Sequence, residues 1–229
     1  MTAIIGLGRK VIPDWAVERR QMVDKQLRRR GIRDERVLRA MLEIPREEFV
    51  PPDERVLAYC DDPVRIGYGQ TISQPYMTAL MAELLELTGT ETVLEVGAGS
   101  GYAAAVLGAL ARRVVAMEII PGLVQLARDN LRKTGRDANV AVLEGDGSLG
   151  HSDFAPYDAI SVAAGAPDVP PSLVEQLKDP GLLVIPVGGG PRGFGDQELR
   201  VVHKRHGRVE SRTATICRFV LLRGGGGWR

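Results

Sequence analysis

The sequence predicts a doubly wound α/β fold on a mostly parallel, seven-stranded sheet with extra helices at its N-terminal end, and three observations predict it. Five short runs rich in apolar and β-branched residues, TVLEVGAG, RVVAMEII, NVAVLEGD, YDAISVAAG and GLLVIPVG, alternate with helical stretches such as PGLVQLARDNLRKTG and PPSLVEQLKD. Near-continuous apolar strands joined by crossover helices belong to a parallel sheet covered on both faces. Two later runs, ELRVVHKRHG and RTATICRFVLL, follow one another with no helix between them and predict an antiparallel pair at the sheet edge. A chain of 229 residues, 44% hydrophobic and 26% charged, has enough apolar material for one substantial core, so a single domain is expected over residues 14–229.

Residues 1–13 read as a loose arm, too short and too interrupted by Gly and Pro for a signal sequence or a membrane span. Residues 14–30 predict an amphipathic helix with Trp15, Met22, Val23 and Leu27 on its apolar side and Gly31 as its stop. Its RRR run at 28–30 has acidic residues interleaved around it, which reads as a solvated helix end rather than a phosphate-binding patch. A second helix starts at Asp34, with Val37, Leu38, Met41 and Leu42 on one face, and Pro45 ends it. FVPPDERVLAYCDDPVRIGYGQTIS is rich in turn formers and predicts a surface segment, which makes residues 14–74 a helical and loop region ahead of a core at 75–229. The core opens with a helix over 75–87, buried along Met77, Leu80, Met81, Leu84 and Leu85, with Pro75 in its first turn and Ser73 placed to cap it. GGGPRGFG and GGGG are low in complexity and predict flexible loop or tail.

The formal net charge is +1, so no global field recruits nucleic acid or an anionic membrane, and neither is expected as a partner. Cys60 and Cys217 are far apart and belong to no metal-binding spacing, which predicts a reduced, cytoplasmic protein without a metal.

The first core strand ends in EVGAGSGY and a helix begins at once. Glycines at 97, 99 and 101 let the backbone turn tightly and approach a ligand closely, and the strand-loop-helix setting strengthens the match. Glu118 stands at the end of the second strand, about 20 residues on, where a carboxylate accepts two ribose hydroxyls. Two ligand classes fit, NAD and S-adenosylmethionine. The spacing here is G-x-G-x-G with Glu95 just before it, and a carboxylate there repels a pyrophosphate but suits an ammonium and a sulfonium. Asp146, in the GDG at 145–147, ends the third strand, where it can take an adenine amino group.

VLEVGAGSGY, the acid at 118 and GDG resemble the three S-adenosylmethionine-binding motifs of class I methyltransferases, whose core is Rossmann-like. GQTISQPYM, FVP at 49–51, AYCDDPVRIG and IPVG narrow the resemblance to the protein-L-isoaspartate O-methyltransferase family, from about Gln21 to Trp228. The resemblance implies a methyl donor, S-adenosylmethionine, held by Thr71, Ser73, Glu95, Gly97, Gly99, Ser100, Glu118, Asp146 and Gly147. It implies Ser73 as the active-site residue, with Thr71 and the glycines at 67 and 69 shaping a lid. The substrate it implies is a peptide or protein in which the main chain runs through the β-carbonyl of an aspartyl residue and leaves a free α-carboxylate, and the enzyme is expected to act as a monomer. A carboxylate acceptor is already ionised and nucleophilic at neutral pH and needs no general base. That suits three histidines that all lie late in the chain, and the Asn/Asp-Pro-Pro-Tyr/Phe run typical of amine methylation is absent after the fourth strand. Two other readings share these residues: a relative that methylates Asp of a dedicated peptide to form aspartimide, and a non-catalytic S-adenosylmethionine-binding module. Two departures from the family pattern stand out. Residues 219–222 read FVLL where F-V-P-L is common, expected to change the last strand and not the cofactor site, and Ala98 replaces a Thr or Cys.

Overall fold

A computed structural model describes residues 13–190 and 195–228. Seven strands form one sheet: β3 (Thr92–Val96), β4 (Arg113–Glu118), β5 (Val140–Glu144), β6 (Tyr157–Val162), β7 (Leu177–Gly188), β8 (Gln197–Arg205) and β9 (Arg208–Cys217). Their order is β5-β4-β3-β6-β7-β8-β9, parallel from β5 to β7 and antiparallel from β7 to β9. The five apolar runs and the antiparallel edge pair thus form the predicted sheet. A separate hairpin, β1 (Val64–Gly67) with β2 (Gln70–Ile72), lies in the segment that turn formers had marked as loop.

Connection order decides which face each helix covers. From β3 the chain steps outward through α4 (Tyr102–Leu110) to β4 and through α5 (Pro121–Lys133) to β5, and then returns to the other side of β3 as β6. Right-handed crossovers in opposite directions place helices on opposite faces, and the reversal between β3 and β6 opens a crevice at the strands' C-terminal ends. One face is packed by α4, α5 and the N-terminal helices, with Val93, Val114, Leu107 and Leu123 in its core. The other, around Leu94, Val115, Ile160 and Leu183, is covered by short elements: α6 (Pro171–Glu175), 3₁₀ turns and the C-terminal segment.

Several elements differ in detail from expectation. The predicted helix over 14–30 is helical throughout, but only α1 (Trp15–Gln21) is α-helical. Met22–Leu27 is a π-turn segment and Arg28–Arg30 a 3₁₀ turn closed by left-handed Gly31. The i→i+5 bonding draws Met22 and Leu27 toward one line, and both are buried with Val23. In the RRR run, Arg28 pairs with Glu35 at 2.6 Å and Arg30 with Asp61, so two of the three cations are held within the protein. Asp34 caps α2 (Glu35–Glu43) through Arg36 N and Val37 N, but Ala40 replaces Leu42 on the buried face, and Leu42 is exposed. α6 stops after five residues because Asp179 precedes Pro180 and is driven to extended backbone, which hands Leu177 and its successors to β7. The arm at 1–13 lies outside the described residues except for Pro13, and so does PRGF at 191–194. Among the described residues no helix is long and apolar enough to cross a membrane.

Candidate active site

The crevice at the β3/β6 reversal is a cleft that encloses about 860 Å³ when its open mouth is counted. Its floor is the β3–α4 loop, Gly97 to Ser100. One wall is the end of β4 with Met117 and Glu118, and another is the segment from Gln70 to Ser73, which comprises β2 and the residue after it. Gly147 and residues 220–223 close the far side.

The loop is held by its own backbone. Gly97 N and Ala98 N both donate to Met117 O, at 2.8 and 3.1 Å, and Gly101 N donates to Ala98 O at 2.8 Å. Gly101 precedes α4 with φ +89°, and a Cβ there would stand 3.2 Å from Ala127 O and 3.3 Å from Ala127 Cα. This glycine therefore serves the approach of α5 to α4, not of a ligand to the loop. Ser100 is buried, and its Oγ has no partner among the described residues.

Glu118 is nearly buried and already aligned. One carboxylate oxygen accepts Gly99 N–H at 2.9 Å and the other Ile120 N–H at 3.0 Å. Each oxygen keeps lone-pair capacity toward the cleft, as two ribose hydroxyls require. Glu95, one residue before the cleft-lining Val96, is fully buried, and neither oxygen has a hydrogen-bond partner among the described residues. Burial first, and then the charge of Glu118, raise its pKa well above the usual carboxylate value. Its register partner Ser161 lines a smaller apolar pocket beneath Ser73 with Thr78 and Met81, so the alternation of the strands puts Glu95 on that side of the sheet.

Asp146 departs from its expected place. It caps the following 3₁₀ turn, accepting Ser148 N at 3.0 Å and Ser148 Oγ at 2.5 Å, while its other oxygen accepts Gly225 N–H at 2.7 Å. Gly147, not Asp146, lines the cleft. The GGGG run is correspondingly an ordered turn and not a loose tail. Gly226 N donates to Ser148 Oγ at 2.9 Å, and Trp228 Nε1 donates to Gly165 O at 2.9 Å. The FVLL segment is likewise no part of the last strand. Leu221 bridges Gly165 beyond β6, and Val220, Leu221 and Leu222 line the cleft, so this departure from the family pattern lies at the cleft and not at the sheet edge.

Ser73 does not cap α3 (Pro75–Leu84): the cap position is Gln74, whose side chain makes no capping bond. Ser73 instead lines both the main cleft and the smaller pocket, directly before the helix N-terminus. Thr71 lines the main cleft. At the hairpin tip Tyr68, between Gly67 and Gly69, lies against Gly122 in the first turn of α5, where a Cβ would collide with the Tyr68 hydroxyl oxygen. Sequence reasoning missed Tyr68, Gly122 and the cleft-lining residues 220–223; all act through contacts far apart in the chain, which no local spacing marks.

The donor set fits S-adenosylmethionine: one unpartnered carboxyl, Glu95, beside the positively charged end, an acid aligned on both oxygens, Glu118, for a ribose, and a glycine loop between them. A profile of the protein-L-isoaspartate(D-aspartate) O-methyltransferase family matches residues 18–226. The protein-L-isoaspartate O-methyltransferase of Koribacter versatilis is 50% identical over 93% of this chain and 94% of its own length. That of Methanoregula boonei is 49% identical over 92% and 95%. A solved protein-L-isoaspartate O-methyltransferase superposes with a TM-score of 0.80 at 30% identity, covering 92% of this chain and 67% of its own. A Plasmodium falciparum structure described as such an enzyme in complex with S-adenosyl-L-homocysteine gives 0.76 at 26% identity over 90% and 98%. A matched profile over most of the chain, near-full-length relatives at half identity and a shared fold lead to one conclusion: the chain belongs to the protein-L-isoaspartate(D-aspartate) O-methyltransferase family.

Proposed function

We propose that the chain methylates the free α-carboxylate of L-isoaspartyl residues in peptides and proteins, with S-adenosylmethionine as donor, and that Ser73 aligns the acceptor. The observation that carries this reading is that Ser73, immediately before a helix N-terminus, shares one cleft with the glycine loop and Glu118. Bound S-adenosylmethionine supplies an electrophilic methyl group on a sulfonium, and the sulfur keeps the electron pair of the broken C–S bond as the carboxylate oxygen takes the methyl. No proton is released, so the residues around the acceptor need only align it. The first turn of α3 has N–H groups without intrahelical acceptors and a positive dipole end, and these with Ser73 Oγ orient the α-carboxylate.

Glu118, aligned by Gly99 N–H and Ile120 N–H, takes the ribose hydroxyls. Gly97, Ser100 and Glu95 hold the amino-acid end of the donor, and Gly147 with its neighbour Asp146 bounds the adenine end. Thr71 and the hairpin tip, seated on Gly122 through Tyr68, form the lid. The ester carries methoxide, a better leaving group than the oxide of a carboxylate, so the following backbone nitrogen attacks the ester carbonyl, methanol leaves and a succinimide closes, and its hydrolysis regenerates some normal aspartyl residue. Residues 14–229 work as one domain, since a single apolar cluster runs from Met22 to Cys217. The reading also carries a monomer in the cytoplasm, where the free Cys60 and Cys217 stay reduced.

The test uses S-adenosylmethionine with a labelled methyl group and two peptides that differ only in Asp versus isoAsp. Base-labile methyl ester on the isoAsp peptide alone is the expected result, and Ser73→Ala is expected to lower that rate with little change in cofactor affinity. Ester on the Asp peptide would move the reading to the aspartimide-forming relative, and ester on neither, with cofactor bound, would reduce the protein to a binding module. Full turnover by Ser73→Ala would remove the role given to that residue.

A further inference from the structure

Arg46 is completely buried, yet its hydrogen-bond acceptors are backbone carbonyls, and the one carboxylate whose charge reaches it, Asp61, forms no ion pair with it. Its Nε donates to Ala58 O at 2.6 Å and one terminal nitrogen to Ser73 O at 2.7 Å, while the guanidinium lies 4.8 Å from the centroid of the Tyr102 ring. The other terminal nitrogen, Nη1, is buried without a partner among the described residues. Burial lowers the pKa, but a guanidinium remains a cation in a protein. A buried charge without a directly paired counter-ion is a costly way to fill a core position, one that an apolar side chain of similar volume fills more cheaply.

What the cation holds suggests its use. The Ser73 carbonyl falls between two ordered elements: pairing of β2 ends at Ile72, and the first helical bond of α3 runs from Thr78 N to Gln74 O. Arg46 therefore supplies the hydrogen bond that fixes the peptide plane following Ser73. The same guanidinium anchors that plane to the Ala58 carbonyl on one side and to the face of Tyr102, a cleft-lining residue, on another. A planar fork does this where a lysine cannot, since an ammonium on a flexible stem reaches one carbonyl and does not stack flat on the ring.

We infer that Arg46 is a positioning residue for methyl transfer: through the Ser73 carbonyl it sets the direction of Ser73 Oγ and of the first turn of α3 toward the acceptor carboxylate. The inference rests on the carboxyl-methyltransferase reading of the site.

The experiment compares wild type, Arg46→Lys, Ser73→Ala and the double variant on the isoAsp peptide, with S-adenosylhomocysteine affinity by calorimetry and Tm alongside. In Arg46→Lys a displacement of the Ser73 segment lowers kcat by about ten- to a hundredfold. A residue acting through Ser73 leaves S-adenosylhomocysteine affinity within about twofold, and makes the double variant no slower than Ser73→Ala alone. Wild-type kcat in Arg46→Lys, additive losses in the double variant, or a loss of cofactor affinity equal to the loss of rate would each overturn the inference. Arg46→Gln, neutral with one donor retained, replaces the lysine variant should that fail to fold, and failure of both to fold would make the residue structural and end the proposal. An inactive wild type would end the functional reading and this inference with it, whereas an active wild type matched by Arg46→Lys would end this inference alone.

Discussion

Replacing Glu118 by Gln tests the cofactor half of the cleft. The carboxylate accepts Gly99 N–H on one oxygen and Ile120 N–H on the other, and both oxygens are left with capacity for a ribose hydroxyl. An amide has one oxygen, so one of these backbone donors must face an NH₂ group. Leaving a buried N–H unsatisfied costs about 1–3 kcal/mol of folding stability. In a domain of this size that corresponds to a Tm roughly 2–12 °C lower.

Binding loses more. Two hydrogen bonds to an ionised acceptor are worth about 1.5–3 kcal/mol each, and the amide keeps one at the neutral value of about 0.5–1.5 kcal/mol. The net loss of about 2.5–4.5 kcal/mol weakens affinity by roughly 70- to 2,000-fold. Calorimetric titration of the folded variant with S-adenosylhomocysteine, below its own Tm, measures this directly. A dissociation constant within about threefold of wild type would refute the assignment of Glu118 to the ribose, since no rearrangement of one amide can satisfy two backbone donors and two hydroxyls.

Three further outcomes follow from the same geometry. The folded protein raises the Glu95 pKa, so above the unfolded value of 4.5 the unfolded chain has released a proton that the folded chain still holds; stability from this group is complete below 4.5 and falls as pH rises toward the raised value. Urea titrations of Glu95→Gln should therefore show a stability gain over wild type that grows from pH 5 to pH 7, with the fixed cost of burying an amide cancelling from the slope; a flat difference would mean that Glu95 is ionised in the folded protein. Gly101→Ala combines a left-handed backbone with a Cβ against the Ala127 backbone and should cost about 2–5 kcal/mol, a fall of roughly 4–20 °C in Tm by thermal denaturation. Ending the chain after Arg223 removes the donors to Asp146, to Ser148 Oγ and to Gly165 O, and should raise the S-adenosylhomocysteine dissociation constant by about tenfold or more; unchanged affinity would show that the C-terminal turn is not part of the cofactor wall.

What could be read in the residues before any coordinates was whatever repeats within a few positions. The apolar runs of β3 to β7 carry their burial in their composition, and Glu118 announces itself by standing at a strand end behind a glycine loop. Asp146 shows the limit of that logic. An acid after a strand is equally suited to a ligand and to a turn cap, and here Ser148 takes it locally while Gly225, 79 residues away, takes the other oxygen. The Ser73 cap failed for a related reason: the T-I-S-Q-P spacing suits capping from Ser73, but the helix begins one residue later, at Pro75 after Gln74.

Arg46 and residues 219–222 were illegible for a deeper reason. A residue that recognises backbone carbonyls leaves no partner type in the sequence to look for, because every residue has a carbonyl, and Ala58 and Ser73 could carry many other side chains without altering the contact. The FVLL segment meets Gly165 backbone to backbone in the same way, with Gly165 N donating to Val220 O at 2.8 Å and Leu222 N to Gly165 O at 2.9 Å. The parts of the site built from side-chain chemistry were therefore visible in the sequence, and the parts that aim that chemistry, built from backbone hydrogen bonds between distant segments, were not. The consequence for mutagenesis is that a residue such as Arg46, whose side chain serves main-chain acceptors, is found from its contacts, because residue type alone offers no warning.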